Sequence, residues 1–218
     1  MELKDFIKQY KSEINALNFK EVYYQASLSL KDRGKLTELF YKLGVDPLKT
    51  LDYIPEYFLH ESSITSFVVP NHIKVINEGA FLQCYKLKSI IIPNSVISIE
   101  YGAFTDCSDL TSVVLSDNLV GLPYSLFRNC ISLTSVIIPD KVKSLRGRAF
   151  SGCKSLANVT IPSSITFIED YAFENCNNLT KLIYTGSKKQ WDSISIGSDW
   201  NRQTPLKTIH CRDGIINV

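Results

Sequence analysis

The sequence lacks the features that mark a membrane protein or a nucleic-acid-binding protein. No stretch approaches the roughly 18 uninterrupted apolar residues of a membrane span. Lys and Arg total 24 against 22 Asp and Glu, so the formal net charge is only +2, without the basic excess that favours binding to a phosphate backbone. With 44% apolar and 21% charged residues, the composition is that of a soluble globular protein. We therefore expect no membrane span and no specific nucleic-acid partner.

Residues that carry catalytic or metal chemistry are equally scarce. Six cysteines are present, but none forms the close C-x2-C pair typical of structural zinc sites. His60, His72 and His210 do not pair with a nucleophile and an acid in a pattern that indicates a triad, so we interpret each as a surface or cap residue. A glycine-rich phosphate loop is also missing. The sequence predicts a protein that is not an enzyme and that holds no metal or cofactor.

The first residues do not resemble a secretion signal. Glu2, Asp5 and Glu13 lie among the N-terminal lysines. No apolar core is followed there by a small-residue cleavage site, as a signal peptide requires. On this ground we expect a cytoplasmic protein.

An internal repeat dominates the remaining chain. Six phenylalanines follow one another at a constant interval of 23 residues: Phe58, Phe81, Phe104, Phe127, Phe150 and Phe173. All but the first are followed three residues later by a cysteine: Cys84, Cys107, Cys130, Cys153 and Cys176. The first unit has Glu61 at that position. Because free cysteine is often buried, we interpret these residues as a ladder of buried thiols, with Cys211 outside it.

Apolar residues at fixed offsets within each unit predict a strand. The column six residues after each phenylalanine consists of Ile64, Leu87, Leu110, Leu133, Leu156 and Leu179. Further apolar columns alternate with polar ones, as the two faces of a strand require. A single 23-residue unit cannot bury its apolar face alone, whereas stacked neighbours form a continuous core. The sequence therefore predicts a solenoid of parallel strands.

The repeated pattern Leu87-x-x-Ile90-x-Ile92-Pro93-x-x-Val96-x-x-Ile99-x-x-x-Ala103-Phe104-x-x-Cys107 resembles the BspA-like bacterial leucine-rich repeat. The resemblance covers roughly residues 54–218. It implies an α/β repeat solenoid, that is, a leucine-rich-repeat horseshoe with one parallel strand per 23-residue unit and an N-terminal helical cap. It also implies a binding surface, since members of that family are described mainly as binding proteins and adhesins without a shared catalytic motif.

The segments outside the repeats are expected to close the two ends of the solenoid. Apolar residues recur at helical spacing from Phe6 to Leu17 and from Leu36 to Leu43, with Gly44 as a C-cap. We divide the chain into residues 1–53, an N-terminal helical cap or a separate docking region, residues 54–183, six leucine-rich repeats, and residues 184–218, a C-terminal cap. A cap over the open apolar end is what repeat proteins generally require.

The outward positions of the predicted strands form a candidate binding surface. One outward column is entirely β-branched: Val68, Ile91, Val114, Ile137, Thr160 and Ile183. Beside it lie small or polar residues that include Lys88, Thr111 and Thr134. Strands favour β-branched residues in any case, but an uncovered run of this length is typical of an interaction site.

Three functions are compatible with this surface. We predict a non-enzymatic protein–protein interaction module that binds a partner through the strand face. One alternative is an inhibitor, encoded by a mobile element or phage, that occludes a host enzyme or defence complex. The other is a bacterial cell-surface protein of the adhesin type. If the first strand, Ile64 to Val69, has a free edge, a second copy of the chain is a further candidate partner and would give a homodimer.

Overall fold

The computed structural model describes Tyr23, residues 30–42 and residues 44–218. The predicted repeat solenoid is confirmed: successive turns of chain stack so that equivalent strands pair in parallel, 23 residues apart, as Ser66 pairs with Ser89 and Ser89 with Ser112. The predicted helix from Phe6 to Leu17 lies outside the described residues. Within the described residues, no helix is both long enough and apolar enough to span a membrane.

Each turn carries a longer first strand, which follows the predicted column. These first strands are β2 (Ser66–Val68), β4 (Ser89–Ile91), β6 (Ser112–Val114), β8 (Ser135–Ile137), β10 (Asn158–Ile161), β12 (Lys181–Tyr184) and β14 (Thr208–Cys211). A final strand, β15 (Gly214–Asn217), pairs antiparallel with β14. The first strands divide into two sheets, β2-β4-β6 and β8-β10-β12-β14-β15.

A second strand of two residues follows a proline or its equivalent in most turns and adds a second parallel surface to the solenoid. These second strands are β1 (Tyr53–Ile54), β3 (Val75–Ile76), β5 (Ser98–Ile99), β7 (Gly121–Leu122), β9 (Ser144–Leu145), β11 (Phe167–Ile168) and β13 (Ser195–Ile196). They also divide into two sheets, β1-β3-β5 and β7-β9-β11-β13. In the turn that holds β6 and β7, the first strand therefore pairs with β4 of the preceding turn, and the second strand pairs with β9 of the following turn.

Pro123 gives the physical reason for the break between β5 and β7. In other turns the residue after the second strand donates its N–H to the preceding turn, as Glu100 does to the Ile76 carbonyl (2.8 Å) and Arg146 to the Leu122 carbonyl (3.0 Å). Pro123 stands at the equivalent position and has no N–H to donate. The ladder between these two turns therefore cannot be completed.

The core between the two sets of strands holds a stack of phenylalanine rings. Phe81, Phe104, Phe127, Phe150 and Phe173 are fully buried. Their ring centroids are 5.0 to 5.5 Å apart and the rings are nearly parallel. Trp200 meets the end of the stack edge-on, 5.9 Å from Phe173. The stack ties each turn to the next along the solenoid axis.

The repeated cysteines lie beside this stack, and none of them forms a disulfide. The thiols of Cys107, Cys130, Cys153 and Cys176 each donate to the carbonyl of the phenylalanine one turn earlier, with Sγ–O distances of 3.1 Å. Burial raises the pKa of the Cys130 and Cys153 thiols well above the ordinary value. These groups therefore stay protonated and remain hydrogen-bond donors at neutral pH.

The first turn departs from the 23-residue spacing around its loop. The Leu59 N–H donates to the Ala80 carbonyl (2.8 Å), just as the Phe81 N–H donates to the Ala103 carbonyl (2.8 Å). Leu59, and not Phe58, thus occupies the phenylalanine position of the first turn. The side chain of Phe58 is buried but lies outside the parallel stack. A turn shortened by one residue accounts for the shift.

Helix α1 (Leu30–Lys42) lies against this first turn. Leu36 and Phe40 are fully buried on its inner face, and Gly34 contacts the backbone of His60 so closely that no side chain fits between them. The helix ends at the predicted Gly44, whose φ is +75°. The Gly44 N–H donates to Tyr41 (3.0 Å) and the Val45 N–H to Phe40 (2.9 Å), which is a Schellman C-cap.

The other end of the solenoid closes with a short helix and a hairpin. Helix α2 (Lys188–Trp191) begins with a capping box between Ser187 and Gln190. Trp191 and Trp200 are buried and pack against each other, with ring centroids 6.0 Å apart. The hairpin of β14 and β15 then continues the sheet of first strands.

Candidate interaction surface

The outward column of the first strands is exposed where the sequence predicts it. The side chains alternate along each strand, so that Ile90 and Val136 point into the core while their neighbours point to solvent. Val68, Ile91 and Ile137 are 85%, 65% and 72% exposed. Val114 and Ile183 are also exposed, and Thr160 is half-buried. We call these six residues, with Lys88, Thr111 and Thr134 beside them, the strand face.

Strand pairing arranges the column in two runs. Val68, Ile91 and Val114 are direct neighbours through β2, β4 and β6. Ile137, Thr160 and Ile183 are direct neighbours through β8, β10 and β12, and His210 extends this run through β14. No ladder joins β6 to β8 in the described structure. The gap between the two runs forms a groove of about 290 Å³, lined by Val114, Ile137 and their neighbours.

On the polar side of the strand face, threonine hydroxyl groups donate hydrogen bonds to backbone carbonyls of the preceding turn. Lys88, Thr111 and Thr134 are all exposed. The Thr111 hydroxyl donates to the Lys88 carbonyl (3.0 Å), and the Thr134 hydroxyl donates to the Thr111 carbonyl (3.4 Å). Lys88 is the single charged residue among those that define the strand face. The surface is therefore suited to apolar and neutral polar contact rather than to a highly charged ligand.

A larger groove lies at the N-terminal end of the strand face, which sequence reasoning did not predict. It has a volume of about 600 Å³ and lies between α1 and β2, with Tyr41, Ile64, Phe67 and Val68 in its lining. Burial and the nearby Asp46 carboxylate raise the pKa of Tyr41, so its hydroxyl stays protonated. Helical spacing indicated which face of α1 is apolar, but the groove depends on where that helix docks.

The residues that directly precede the second strands β5 and β7 expose a further apolar patch that the sequence analysis missed. Ile97 and Val120 are 55% and 62% exposed and line a groove of about 490 Å³ beside the break at Pro123. Tyr124 lies at the same groove and donates to Glu169 (3.0 Å). The signal was present in the sequence, since Ile97 and Val120 occupy one outward column. This signal was weak because each turn contributes only one residue to the column, directly before its second strand.

The three histidines lie in separate surroundings. Of the two interpretations of His60, a surface or a cap residue, the first is wrong: it is only 7% exposed beneath α1, and its Nδ1 lies 3.1 Å from the Leu82 carbonyl oxygen. His72 is exposed and its Nε2 contacts the Leu48 carbonyl at 3.0 Å. His210 lies beside Thr208 in β14. Among the described residues, no group of His, Cys, Asp and Glu is arranged to hold a metal ion.

The stacked turns, their parallel strands and the conserved spacing of apolar columns within this chain define a leucine-rich-repeat protein. Residues 52–180 match the BspA type leucine rich repeat region in 6 copies. Because this match spans more than half of the 218 residues, the chain belongs to the BspA-type leucine-rich repeat family.

Solved structures of bacterial leucine-rich repeat proteins have the same fold. A leucine rich cell surface protein from Faecalibacterium prausnitzii is 40% identical with a TM-score of 0.60, over 62% of this chain and 35% of that chain. The leucine-rich repeat protein of T. pallidum is 27% identical with a TM-score of 0.61, over 66% of each chain. A protein from Eubacterium ventriosum is 25% identical with a TM-score of 0.59, over 72% of this chain and 47% of that chain.

The chain thus spans only part of each of these three proteins, about a third of the first and about half of the last. A comparison with curated proteins gives no match. The similarity therefore establishes the repeat fold and the family.

Proposed function

We propose that this protein is a protein-interaction module that binds a partner protein through the strand face. The observation that carries the proposal is the column of five exposed β-branched side chains, Val68, Ile91, Val114, Ile137 and Ile183. Contiguous apolar surface that remains exposed to water is typical of a site that another molecule covers. Repeat solenoids commonly use such extended surfaces for binding.

The groove between β6 and β8 lies at the centre of the strand face. Val114 and Ile137 border this groove of about 290 Å³, and Val113 at its base is only half-buried. Binding energy in protein interfaces concentrates in central, well-packed pockets surrounded by weaker contacts. We therefore place the strongest contact of the partner between the two runs of the column.

We propose two alternative locations for the protein in the cell. In the first proposal, the protein and its partner are cytoplasmic. The F. prausnitzii protein that is 40% identical is a cell surface protein, which supports exposure at the cell surface and a partner outside the cell. Protease treatment of intact and lysed source cells, followed by detection of the chain, separates the two proposals.

The test compares two double variants that place the same new charges on different surfaces. Ile91→Asp with Ile137→Asp alters the strand face, and Ile97→Asp with Val120→Asp alters the second strands at similar exposure. Purified wild-type and variant proteins are crosslinked in source-cell extract and the captured proteins are quantified by mass spectrometry. We expect a protein that is captured by the wild type and the second-strand variant and lost by the strand-face variant.

Two outcomes would contradict the proposal. In one, every captured protein is retained by the strand-face variant while circular dichroism shows that it is folded. In the other, only the second-strand variant loses the captured protein. Because all four side chains are exposed, neither double variant is expected to disturb the core.

A further inference from the structure

The surface beside Pro123 combines exposed apolar groups with lysines that form no ion pair with the described carboxylates. Lys74, Ile97, Val120 and Lys143 occupy one outward column on four successive turns. The Ile97 N–H donates to the Lys74 carbonyl (2.9 Å) and the Lys143 N–H to the Val120 carbonyl (2.9 Å), which fixes each pair as neighbours. We call these four residues the second-strand patch. It shares no residue with the strand face.

Neither lysine of the patch forms an ion pair within the part of the chain that the structure describes. Three carboxylates belong to the neighbouring positions. Asp52 lies beside Lys74 one turn earlier, where its backbone carbonyl accepts the Lys74 N–H, and its exposed side chain forms no ion pair with that lysine. Glu169 accepts from Arg146 (2.8 Å), from the Gly147 N–H (2.8 Å) and from Tyr124. Glu100 accepts from the Ser98 hydroxyl (2.7 Å) and remains an exposed charge at the edge of the patch. The two lysines thus present unpaired positive charge on either side of an apolar centre.

A groove lies between the two apolar residues of the second-strand patch. Because Pro123 interrupts the ladder between β5 and β7, the two turns enclose about 490 Å³ between Ile97, Val120 and Tyr124. Tyrosine and arginine are enriched where proteins bind proteins, and Tyr124 and Arg146 both line the groove. An apolar side chain of a partner can enter here while its backbone stays at the surface.

We propose that the second-strand patch binds an extended acidic segment of a partner protein. Lys74 and Lys143 lie three turns apart, which is at least about 14 Å, because two of the three steps have the ~4.8 Å spacing of paired strands and the third is the unpaired step at Pro123. In an extended segment at ~3.3 Å per residue, two carboxylates about four residues apart span that distance. Side chains at alternate positions point the same way, so the residue midway between the carboxylates faces Ile97 and Val120. The segment therefore has an acidic, an apolar and an acidic residue on one face.

The probe is a synthetic nine-residue peptide with the central sequence Glu-Thr-Ile-Thr-Glu, flanked by serines and labelled with fluorescein. Binding to the full chain is measured by fluorescence polarisation at low salt. We expect saturable binding that weakens about fivefold or more when Lys74→Glu and Lys143→Glu are combined, since each exposed ion pair contributes modestly. Replacing both glutamates of the peptide by glutamine should weaken binding to the wild type by a similar factor.

A matched control separates the patch from general charge attraction. Lys86→Glu combined with Lys154→Glu makes the same change in net charge at two exposed positions outside the patch and outside the strand face, and it should change the affinity less than about twofold. Equal weakening by both double variants, equal binding of the glutamate and glutamine peptides, or no saturable binding up to about 1 mM peptide would each overturn the proposal. The peptide comparison uses only wild-type protein and does not depend on the folding of a variant.

Discussion

The thiol of Cys130 donates a hydrogen bond to the backbone carbonyl of Phe104, one turn earlier, with 3.1 Å between Sγ and the oxygen. The same bond recurs between Cys107 and Phe81 and along the rest of the stack. Each cysteine thus fills a small apolar space and gives a buried carbonyl a second hydrogen bond, beside the one that the Phe104 carbonyl accepts from the Cys107 N–H (3.4 Å). If the thiol matters as a hydrogen-bond donor, serine should be the better replacement at this position. If it matters only as an apolar group, alanine should be the better replacement.

We expect Cys130→Ala to lower the free energy of unfolding by about 1–2 kcal/mol, because it removes both buried volume and a buried donor. Cys130→Ser keeps a donor, so it should be more stable than the alanine variant. Urea denaturation of the three proteins measures the order. A serine variant less stable than the alanine variant would show that the thiol acts only as an apolar filler. Cys211→Ala, at a half-buried position without this bond, is the control.

The loop before each cysteine requires a left-handed residue, and Gln83 is a poor choice for it. Gln83 has φ +59°, and the equivalent Asn129 and Asn175 have φ +58°. Asparagine tolerates this conformation better than glutamine. We expect Gln83→Asn to raise the free energy of unfolding by about 0.5–1 kcal/mol and Asn175→Gln to lower it by a similar amount. Thermal or urea unfolding checks both; a loss of stability in Gln83→Asn would contradict the argument.

Pro123→Ala should restore the missing bond between two second strands. The new amide at position 123 is placed to donate to the Ile99 carbonyl, as the Glu100 and Arg146 amides donate in their own turns. We expect hydrogen exchange at this amide to be as slow as at those two positions, measured by NMR. Exchange at the rate of a solvent-exposed amide would show that another feature of this turn, and not the proline, keeps β5 and β7 apart.

The interaction of Glu169 with its three donors should appear in the pH dependence of stability. Burial opposes ionisation, but the hydrogen bonds from Arg146, Gly147 and Tyr124 outweigh it and lower the pKa of Glu169 below its usual 4.5. The ionised carboxylate therefore favours the folded state above pH 4.5, and this contribution is lost as the pH falls through the lowered value.

Glu169→Gln should accordingly destabilise the protein at neutral pH and have a smaller effect at acidic pH, where protonation progressively removes the charge of the wild-type carboxylate. Urea denaturation across this pH range measures the difference. Glu100→Gln serves as the control, because Glu100 is exposed and accepts only the Ser98 hydroxyl. An equal loss of stability at both pH values in Glu169→Gln would argue against the ionic contribution.

The repeat could be predicted from the sequence because its period appears in every turn. Columns at fixed offsets gave the first strands, their outward residues such as Ile91 and Ile137, and the family. The same regularity misplaced the first turn: Phe58 continues the spacing of 23 residues, yet Leu59 occupies the phenylalanine position. Phe58 and Leu59 are both apolar, and the loop that is one residue shorter leaves no signal in the sequence. The sequence alone therefore cannot show which of the two residues occupies the phenylalanine position.

The interruption at Pro123 was missed for a different reason. Strand pairing involves hydrogen bonds between two turns. The effect of Pro123 becomes visible only when its position is compared with Glu100 and Arg146, whose N–H groups make the equivalent bonds in their own turns. The groove between α1 and β2 likewise depends on how two separate segments meet. The strand face was predicted from local alternation, whereas these grooves depend on contacts between distant residues.

The bond from each cysteine to the phenylalanine one turn back makes neighbouring repeats interchangeable. Loss of the 23 residues from Ser108 to Cys130 would leave Cys153 one turn after Phe104, with the same donor and acceptor as before. A gene encoding such a chain can therefore gain or lose whole units without new side chains having to arise at the junction. Each such event would lengthen or shorten the strand face by one row of residues, about 4.8 Å, so the reach of the binding surface can change independently of its chemistry.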